Sequence, residues 1–229
     1  FYKLINKGKK FDIEFQIKTK KGNLKWVRCI GKPEYNFENK ITKILGSIQN
    51  ITHQKVNELE LAQKNIFSSS ITSVISELIH ADDWYESLNK VFQITGNTID
   101  VDRIYYFEMD ESDNNESKTC SQKLEWTKNG IESQIENPEL QNVPVESFTD
   151  FFDPLMEGKL ISAITSQLPE GNLKENVVSQ NIKSFIVLPL FINNVFHGFI
   201  GFDDCMEERN WSMSELSFLS NIVFNLATT

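Results

Sequence analysis

The stretch from Ser184 to Phe202 constrains the fold most, because its 19 consecutive residues carry no formal charge. This length is close to that of a membrane-spanning helix. Pro189, the dipeptide Asn193-Asn194 and two glycines interrupt the stretch, and such residues are costly in a lipid-facing helix. Asn tolerates positive φ and therefore favours a tight turn. We predict two buried β-strands joined by a hairpin turn, and no membrane span.

The first fifty residues predict a small antiparallel sheet. Apolar residues alternate with polar ones from Phe11 to Lys18, which is the period of a half-buried strand. A turn at Lys21-Gly22-Asn23 precedes two further expected strands, Leu24–Ile30, with Trp26 on its buried side, and Ile41–Ile51. Three such strands bury little on either face, so we expect this segment to lack a pocket of its own.

After the third strand the apolar spacing changes to three and four residues, which predicts helices. The first helix is expected to weaken at Ser68-Ser69-Ser70. A second begins at Asp83, where Glu86 completes a capping-box-like pair, and Ser212 with Glu215 begins the last helix in the same way. The order is helix, helix, strand, strand, irregular crossover, strand, strand, helix. It predicts an α+β fold, an antiparallel sheet flanked by helices.

The crossover, residues 131–181, contains four prolines and two short helical runs, Phe148–Met156 and Leu173–Ser179. A long irregular connection of this kind often covers a binding cavity. Seven residues are candidates for lining that cavity: Tyr106, Trp126, Phe148, Phe152, Ile186, Leu188 and Trp211. Aromatic and aliphatic residues on strands are also ordinary core residues, so core packing is the alternative for each.

The charge is divided unevenly along the chain. Residues 1–50 contain 12 Lys/Arg and 4 Asp/Glu, whereas residues 51–229 contain 11 and 28. Such a division can mark an arm that binds nucleic acid or an anionic membrane. The lysines alternate with apolar residues at strand spacing, however, which indicates a solvated outer face of the sheet. We therefore predict no nucleic-acid binding.

The three cysteines, Cys29, Cys120 and Cys205, lie far apart and form neither a CxxC pair nor a Cys/His cluster with zinc spacing. This usage is typical of a reducing compartment, and we expect a cytoplasmic location. The neighbouring Asp203-Asp204 would raise the pKa of the Cys205 thiol, which is the opposite of activation.

The remaining polar residues do not converge on a catalytic pattern. His53, His80 and His197 are scattered, and the sequence contains neither a G-x-G-x-x-G motif nor a P-loop. Asp203-Asp204 and Glu207-Glu208 are expected to form a solvated acidic loop, with a cation site as the alternative. We predict no catalytic residue, no metal site and no cofactor.

Two parts of the chain resemble known families. The first contains Phe11-Asp-Ile-Glu-Phe, Lys20-Lys21-Gly22-Asn23, Lys25-Trp26-Val27 and Gly46-Ser47-Ile48-Gln49-Asn50-Ile51-Thr52. It resembles the PAC segment, the last three strands of a PAS domain, although Asn50 stands where that family usually has Asp. The resemblance implies that residues 1–52 are the C-terminal strands of an incomplete PAS domain.

The second part resembles a GAF domain, as found in sensor histidine kinases. Its closing half is carried by Ile182-Lys183-Ser184, Leu188-Pro189-Leu190, Gly198-Phe199-Ile200-Gly201-Phe202-Asp203 and Trp211-Ser212 with Glu215. Arg103-Ile104-Tyr105 and Glu125-Trp126-Thr127 fit its earlier half. The resemblance implies a connecting signalling helix at 53–80, which is also the first GAF helix, and a GAF domain at 81–229.

The two resemblances together imply a non-catalytic sensory and dimerisation module of a two-component sensor histidine kinase. The expected partners are a second copy, through helices 52–80 and 213–227, a kinase module of the same parent chain and a small-molecule ligand. One alternative is a small GAF-type thiol enzyme similar to methionine sulfoxide reductases, although Cys120 and Cys205 do not reproduce that branch's cysteine spacing. Another is a regulator of a cyclase or phosphodiesterase. The sequence lacks the adjacent Cys-His pair of bilin-binding GAF domains.

Overall fold

The computed structural model describes residues 9–80, 83–110 and 118–228. The chain forms two compact units, one ending at Asn65 and the other beginning at Ile66. A long helix, α1, runs through this boundary.

The first unit contains a three-stranded antiparallel sheet in the order β1-β2-β3 and the start of α1. Its elements are β1 (Phe11–Lys18), β2 (Leu24–Tyr35), β3 (Ile41–Asn50) and the N-terminal part of α1 (Thr52–Ile79). Phe11 pairs with Gly31, and both are buried on the same face as Val27 and Cys29. The prediction for Trp26 is wrong: because successive side chains of a strand alternate, Trp26 lies on the opposite face from Val27 and is half-buried.

Helix α1 is continuous through the three serines that were expected to weaken it. The hydroxyls of Ser69, Thr72 and Ser73 donate to backbone carbonyls three or four residues earlier, at 2.8, 3.0 and 3.2 Å. Ser70 forms a 2.8 Å hydrogen bond with the hydroxyl of Thr98 on the next helix. These polar side chains therefore have partners without interrupting the helix.

The second unit is built on a six-stranded antiparallel sheet in the order β6-β5-β4-β9-β8-β7. Its strands are β4 (Arg103–Met109), β5 (Thr119–Thr127), β6 (Val143–Pro144), β7 (Ile161–Ile164), β8 (Ser184–Ile192) and β9 (Val195–Asp204). Its helices after α1 are α2 (Trp84–Ile99), α3 (Thr149–Met156), α4 (Asn172–Ser179) and α5 (Met213–Thr228). The short strands β6 and β7 lie within the crossover that was expected to be irregular.

Helices cover both faces of this sheet, so the predicted α+β fold is confirmed. On one face the end of α1 packs with α2 and α5 around Ile104, Ile186 and Ile200. On the other face the crossover, with α3 and α4, packs around Phe185 and Phe199. Strands β4, β8 and β9 contribute alternate residues to the two cores, as the period of two requires.

The uncharged stretch forms the hairpin β8–β9, as predicted. Ile192 pairs with Val195, so that Asn193 and Asn194 alone form the turn, with φ of 51° and 63°. Two successive positive φ angles match the twist of the flanking strands in a type I′ turn. Among the described residues, no helix combines the length and apolar character needed to cross a membrane.

Candidate functional site

A cavity of about 80 Å³ lies between the sheet and the crossover of the second unit. The sheet supplies one wall, and α3, α4 and the segments beside them supply the other. Its lining residues are Tyr105, Phe107, Gln122, Glu125, Leu140, Val143, Phe148, Phe151, Phe152, Leu173, Asn176, Val177, Gln180, Ile182, Phe185 and Phe199. The crossover therefore covers a cavity, as its length and irregular sequence predicted.

The structure brings two of the seven predicted residues, Phe148 and Phe152, to this cavity. Tyr106, Ile186 and Leu188 lie in the core on the face of the sheet that α1, α2 and α5 cover. The two tryptophans pack against that same core. Five predicted residues thus lie away from the cavity. For Tyr106 and Ile186, it is their sequence neighbours Tyr105, Phe107 and Phe185 that line it.

Close packing fixes the positions of two aromatic rings on opposite faces. A Cβ atom on Gly201 would lie 2.1 Å from the Tyr105 ring, so the absence of a side chain lets this ring lie over β9 on the cavity side. A Cβ atom on Gly96 would lie 2.2 Å from the Trp126 ring. Trp126 therefore packs directly on helix α2, on the side away from the cavity.

Polar side chains line part of the cavity. Gln122 is 4% exposed, and its side-chain Oε1 has no hydrogen-bond partner among the described residues. On the opposite wall, Gln180 Nε2 donates to Asn176 Oδ1 over 2.8 Å. The Tyr105 hydroxyl donates to Asp203 Oδ1 at 3.2 Å, and burial raises the pKa of Tyr105 well above its ordinary value.

Glu125 attaches the start of the crossover to strand β5. Its carboxylate accepts hydrogen bonds from the backbone N–H groups of Gln134, at 2.8 Å, and Ile135, at 3.3 Å. It also accepts one from the Ser133 hydroxyl. Its Oε1 lies 3.8 Å from Arg103 Nε. Glu125 thus lines the cavity, but much of its hydrogen-bonding capacity is used by the protein.

A buried ion pair lies beside the cavity. Arg103 donates from Nε and Nη2 to Asp203 Oδ2, at 3.1 and 3.0 Å, and the two side chains are 1% and 0% exposed. Burial raises the pKa of Asp203 to about 6, against the attraction of Arg103. The prediction of a solvated acidic loop is therefore wrong for Asp203 and for Asp204, which is also buried.

Arg209 connects the end of β9 with the first turn of α5. Its guanidinium donates to Glu215 and, over 2.8 Å, to the Ile99 carbonyl at the end of α2. It also lies 3.5 Å from Asp204 Oδ1 and 4.6 Å from the Trp211 ring centroid. Trp211 is thus part of this connection, away from the cavity.

The thiols of Cys120 and Cys205 are unsuited to nucleophilic chemistry. Burial raises the pKa of Cys205 to about 12, with the carboxylate of Asp203 adding to the shift, and burial also raises that of Cys120. Cys120 pairs with Met109 at one end of β4, whereas Asp203, two residues before Cys205, pairs with Arg103 at the other. The two ends of β4 are six residue steps apart, a distance of about 20 Å.

The histidines stay apart in the structure, as they are in the sequence. His53 is in the first turn of α1, the His80 ring lies 2.8 Å from the Ser76 carbonyl oxygen, and His197 is on β9. Within the part of the chain that the structure describes, no three His, Cys, Asp or Glu residues are grouped so that they could hold a metal ion.

Both parts of the chain are similar to known proteins. Residues 1–48 match the PAS fold family. Over 213 residues the chain is 30% identical to the methanogenesis regulatory histidine kinase FilI of Methanothrix harundinacea (strain 6Ac), a match that covers 93% of this chain and 24% of that protein. The chain thus spans about a quarter of the length of this relative.

Solved structures of GAF domains are similar to the chain in fold. The phycocyanobilin-bound GAF domain of a cyanobacterial phytochrome has a TM-score of 0.58 at 16% identity, covering 71% of this chain and 92% of that one. The phycoerythrobilin-bound GAF domain of a cyanobacterial phytochrome has a TM-score of 0.57 at 14% identity, covering 72% and 94%. The N-terminal PAS match, the kinase relative and the GAF-like fold together confirm the resemblance to the PAS and GAF region of a sensor histidine kinase.

Proposed function

We propose that the chain is a non-catalytic sensory and dimerisation module of a larger histidine kinase. The observation that carries the proposal is that a single sheet separates the cavity from the packed helices. Phe185 and Phe199 line the cavity, while their neighbours Ile186 and Ile200 pack among the helices. A ligand that enters or leaves the cavity would therefore act on α1, α2 and α5 through a single sheet.

The helices on the far face suit the transmission of such a change. Phe67 of α1 and Phe218 of α5 stack with ring centroids 4.5 Å apart, so the helix that precedes the sheet contacts the helix that follows it. A ligand that favours one arrangement of this pair shifts the population toward that arrangement. In the proposed parent chain, α5 would lead to the kinase module.

Exposed apolar side chains on both helices support self-association. Ile79 at the end of α1 is 71% exposed, and Phe224 of α5 is 66% exposed. We propose that these side chains belong to a contiguous apolar patch, which is typical of a surface that binds another protein. We propose a homodimer formed through these two helices, and we expect Phe224→Glu to shift the chain toward monomer in analytical ultracentrifugation.

The bilins bound by the similar phytochrome domains are larger than this cavity. At about 80 Å³ it is far below the 300–1,000 Å³ or so that sites for drug-sized ligands occupy. None of its described lining residues is Cys or His, and Cys120 is packed in the core beside it. The proposal therefore involves a smaller ligand.

The thiol-enzyme alternative finds no support in the geometry. Cys120 and Cys205 lie near opposite ends of β4, and the pKa of each thiol is raised. A thiolate is the reactive species, and a raised pKa reduces its population at neutral pH. A cyclase or phosphodiesterase in place of the kinase would use the same sensory arrangement, but the 30% identity to a histidine kinase favours the kinase.

Two adjacent valines on α4 provide a test in the parent chain. Val177 lines the cavity and is 5% exposed, whereas Val178 on the same helix is 54% exposed. Val177→Phe places a ring in the cavity, and Val178→Phe makes the same chemical change on the surface. We expect Val177→Phe to change basal autophosphorylation at least about five-fold, the effect of a coupling free energy of about 1 kcal/mol. Val178→Phe should leave autophosphorylation unchanged.

Thermal unfolding of both variants verifies that they fold, because overfilling a core can cost about 1–3 kcal/mol. If folded Val177→Phe and Val178→Phe phosphorylate like the wild type, the cavity is not coupled to the output and the proposal fails. If Val177→Phe does not fold, Val177→Leu, a smaller addition at the same position, replaces it in the same comparison.

A further inference from the structure

The size of the cavity limits what it can hold. One water molecule needs about 10–15 Å³ of cavity volume. A volume of about 80 Å³ therefore accommodates about five to eight non-hydrogen atoms. This is the size of a single six-membered ring with one substituent.

The lining is rich in aromatic rings. Phe107 and Phe199 stack with centroids 4.9 Å apart, and Phe151 meets Phe199 edge to face at 5.3 Å. Together they present both ring faces and ring edges, which are the surfaces against which another aromatic ring packs favourably. The apolar part of an occupant would therefore be in contact with aromatic side chains.

The charges of the lining disfavour an anion. Among the described residues that line the cavity there is no Lys, Arg or His, and Glu125 is a carboxylate. The nearby cation, Arg103, is already hydrogen-bonded to Asp203. Transferring a carboxylate or phosphate into this cavity would remove its hydration without supplying an opposite charge, and that is costly. A cation finds no free counter-charge in the described lining either, because the Glu125 carboxylate already accepts hydrogen bonds from the segment 133–135 and lies 3.8 Å from Arg103. The occupant is therefore uncharged.

The unpaired side-chain oxygen of Gln122 indicates which polar group a molecule bound in the cavity would have. Its Oε1 is buried and has no hydrogen-bond partner among the described residues, although buried polar atoms are nearly always paired. The side chain lines the cavity from β5. An occupant with an O–H or N–H group would provide the missing donor to this amide.

We infer that the cavity binds a small uncharged aromatic molecule of phenol size, whose O–H or N–H group donates a hydrogen bond to Gln122. The inference rests on the proposed sensory function and specifies the ligand class of its cavity. Phenol, toluene and benzoate are suitable probes. Phenol and toluene match in size and differ in the donor group, and benzoate has a negative charge on a slightly larger substituent.

The test is a ligand-observed NMR titration of the whole chain with the three probes. Gln122→Leu keeps the approximate shape of the side chain and removes its amide, and Gln16→Leu makes the same change at an exposed position of β1 in the first unit. We expect Gln122→Leu to raise the Kd of phenol relative to that of toluene about five-fold, the effect of one hydrogen bond. Gln16→Leu should leave this ratio unchanged, and benzoate should bind more weakly than phenol.

Each other outcome overturns the inference. If phenol and toluene bind but their Kd ratio is the same in Gln122→Leu, the cavity binds aromatic molecules without using the amide. If benzoate binds as tightly as phenol, the occupant is not restricted to uncharged molecules. If no probe binds, the ligand class is wrong, while the kinase comparison of Val177→Phe with Val178→Phe still decides the proposed function. Gln122→Met replaces Gln122→Leu if the latter does not fold.

Discussion

Asp204 provides a sharp test of the electrostatics at the end of β9. It is 7% exposed, and its Oδ2 has no hydrogen-bond partner among the described residues. Burial raises the pKa of Asp204 from 3.8 to about 6, and Arg209, 3.5 Å from Oδ1, only partly opposes this shift. The ionised form is therefore disfavoured in the folded chain relative to the unfolded chain.

This shift makes the folded state bind a proton near pH 6 that the unfolded chain binds only near pH 4. The protonated side chain therefore stabilises the fold as the pH falls from 7.5 through 6, and this contribution is absent above pH 7. Integrating the difference in proton uptake gives a gain of about 2 kcal/mol from Asp204 at pH 4.5 relative to pH 7.5. Substituting Asn, which cannot ionise, removes this dependence.

The assay is urea unfolding of the wild type and Asp204→Asn at pH 7.5 and 4.5. A Trp26→Phe background removes the tryptophan of the first unit, so the fluorescence of Trp84, Trp126 and Trp211 reports on the second unit. We expect the wild type to gain about 2 kcal/mol relative to Asp204→Asn on going from pH 7.5 to 4.5. Asp150→Asn, at an exposed position on α3, is the matched control.

Comparing the two proteins at each pH cancels the contributions of carboxyl groups that do not interact with Asp204. Asp102 and Asp203, whose charges raise the pKa of Asp204, remain coupled to it. A difference in the free energy of unfolding that stays constant between the two pH values would refute the reasoning. So would a wild type that gains stability relative to Asp204→Asn as the pH rises, because this would show that Arg209 stabilises the ionised form more than burial destabilises it.

Two further substitutions test the packing and the thiols. Gly96→Ala would ordinarily stabilise a helix by about 1 kcal/mol, but the new Cβ meets the Trp126 ring, so urea unfolding should show a loss of about 1–3 kcal/mol. This loss should disappear when Gly96→Ala is combined with Trp126→Leu, and a loss that persists would contradict the packing. Because the pKa of the Cys205 thiol is raised from 9 to about 12, its thiolate fraction at pH 7.5 falls about a thousand-fold. Labelling by a disulfide reagent, assigned by mass spectrometry, should be slow at Cys205 and Cys120 in the native chain, and labelling of either as fast as in urea would contradict the assignment.

The order of elements could be predicted from the sequence because each signal is local. The hairpin turn needs only two successive Asn residues with positive φ, and both have it. The start of α2 needs only an oxygen that accepts the Glu86 N–H, and the Asp83 side chain does so at 2.8 Å. Ser212 and Glu215 likewise exchange hydrogen bonds before α5. Such signals act within a few residues and do not depend on the rest of the fold.

The face on which a strand residue lies could not be predicted so directly. On β4 and β8 the cavity-lining residues, such as Tyr105 and Phe185, are next to candidates on the other face, and strand alternation alone does not tell which face carries the cavity. On β5 a bulge adds to the problem. Tyr106 pairs with Leu124, but Phe107 pairs with Gln122, so the pairing skips one residue of β5. The bulge brings Gln122 and Glu125, which differ by three positions, to the same side.

The buried ion pair was missed for a different reason. Asp203 and Asp204 precede a polar segment, and their composition alone favours a solvated loop. Arg103, which pairs with Asp203 across neighbouring strands, is 100 positions away. A charge that is neutralised by so distant a partner leaves no local signal, and only the register of β4 against β9 shows that the acid is buried.

The contacts that hold the two walls of the cavity indicate which wall a ligand would displace more easily. The sheet wall is held by strand pairing and by the Arg103–Asp203 pair, and Glu125 ties the segment 133–135 to it. On α4, by contrast, the hydrogen bonds of Asn176 and Gln180 stay within the helix and its end. Its contact with the sheet side depends on apolar groups such as Val177. Apolar contacts are non-directional and can slide, whereas hydrogen-bonded pairs must break to move. A ligand larger than the cavity should therefore displace α4 more than the sheet, and the smaller movement of the sheet is the one that reaches α1 and α5.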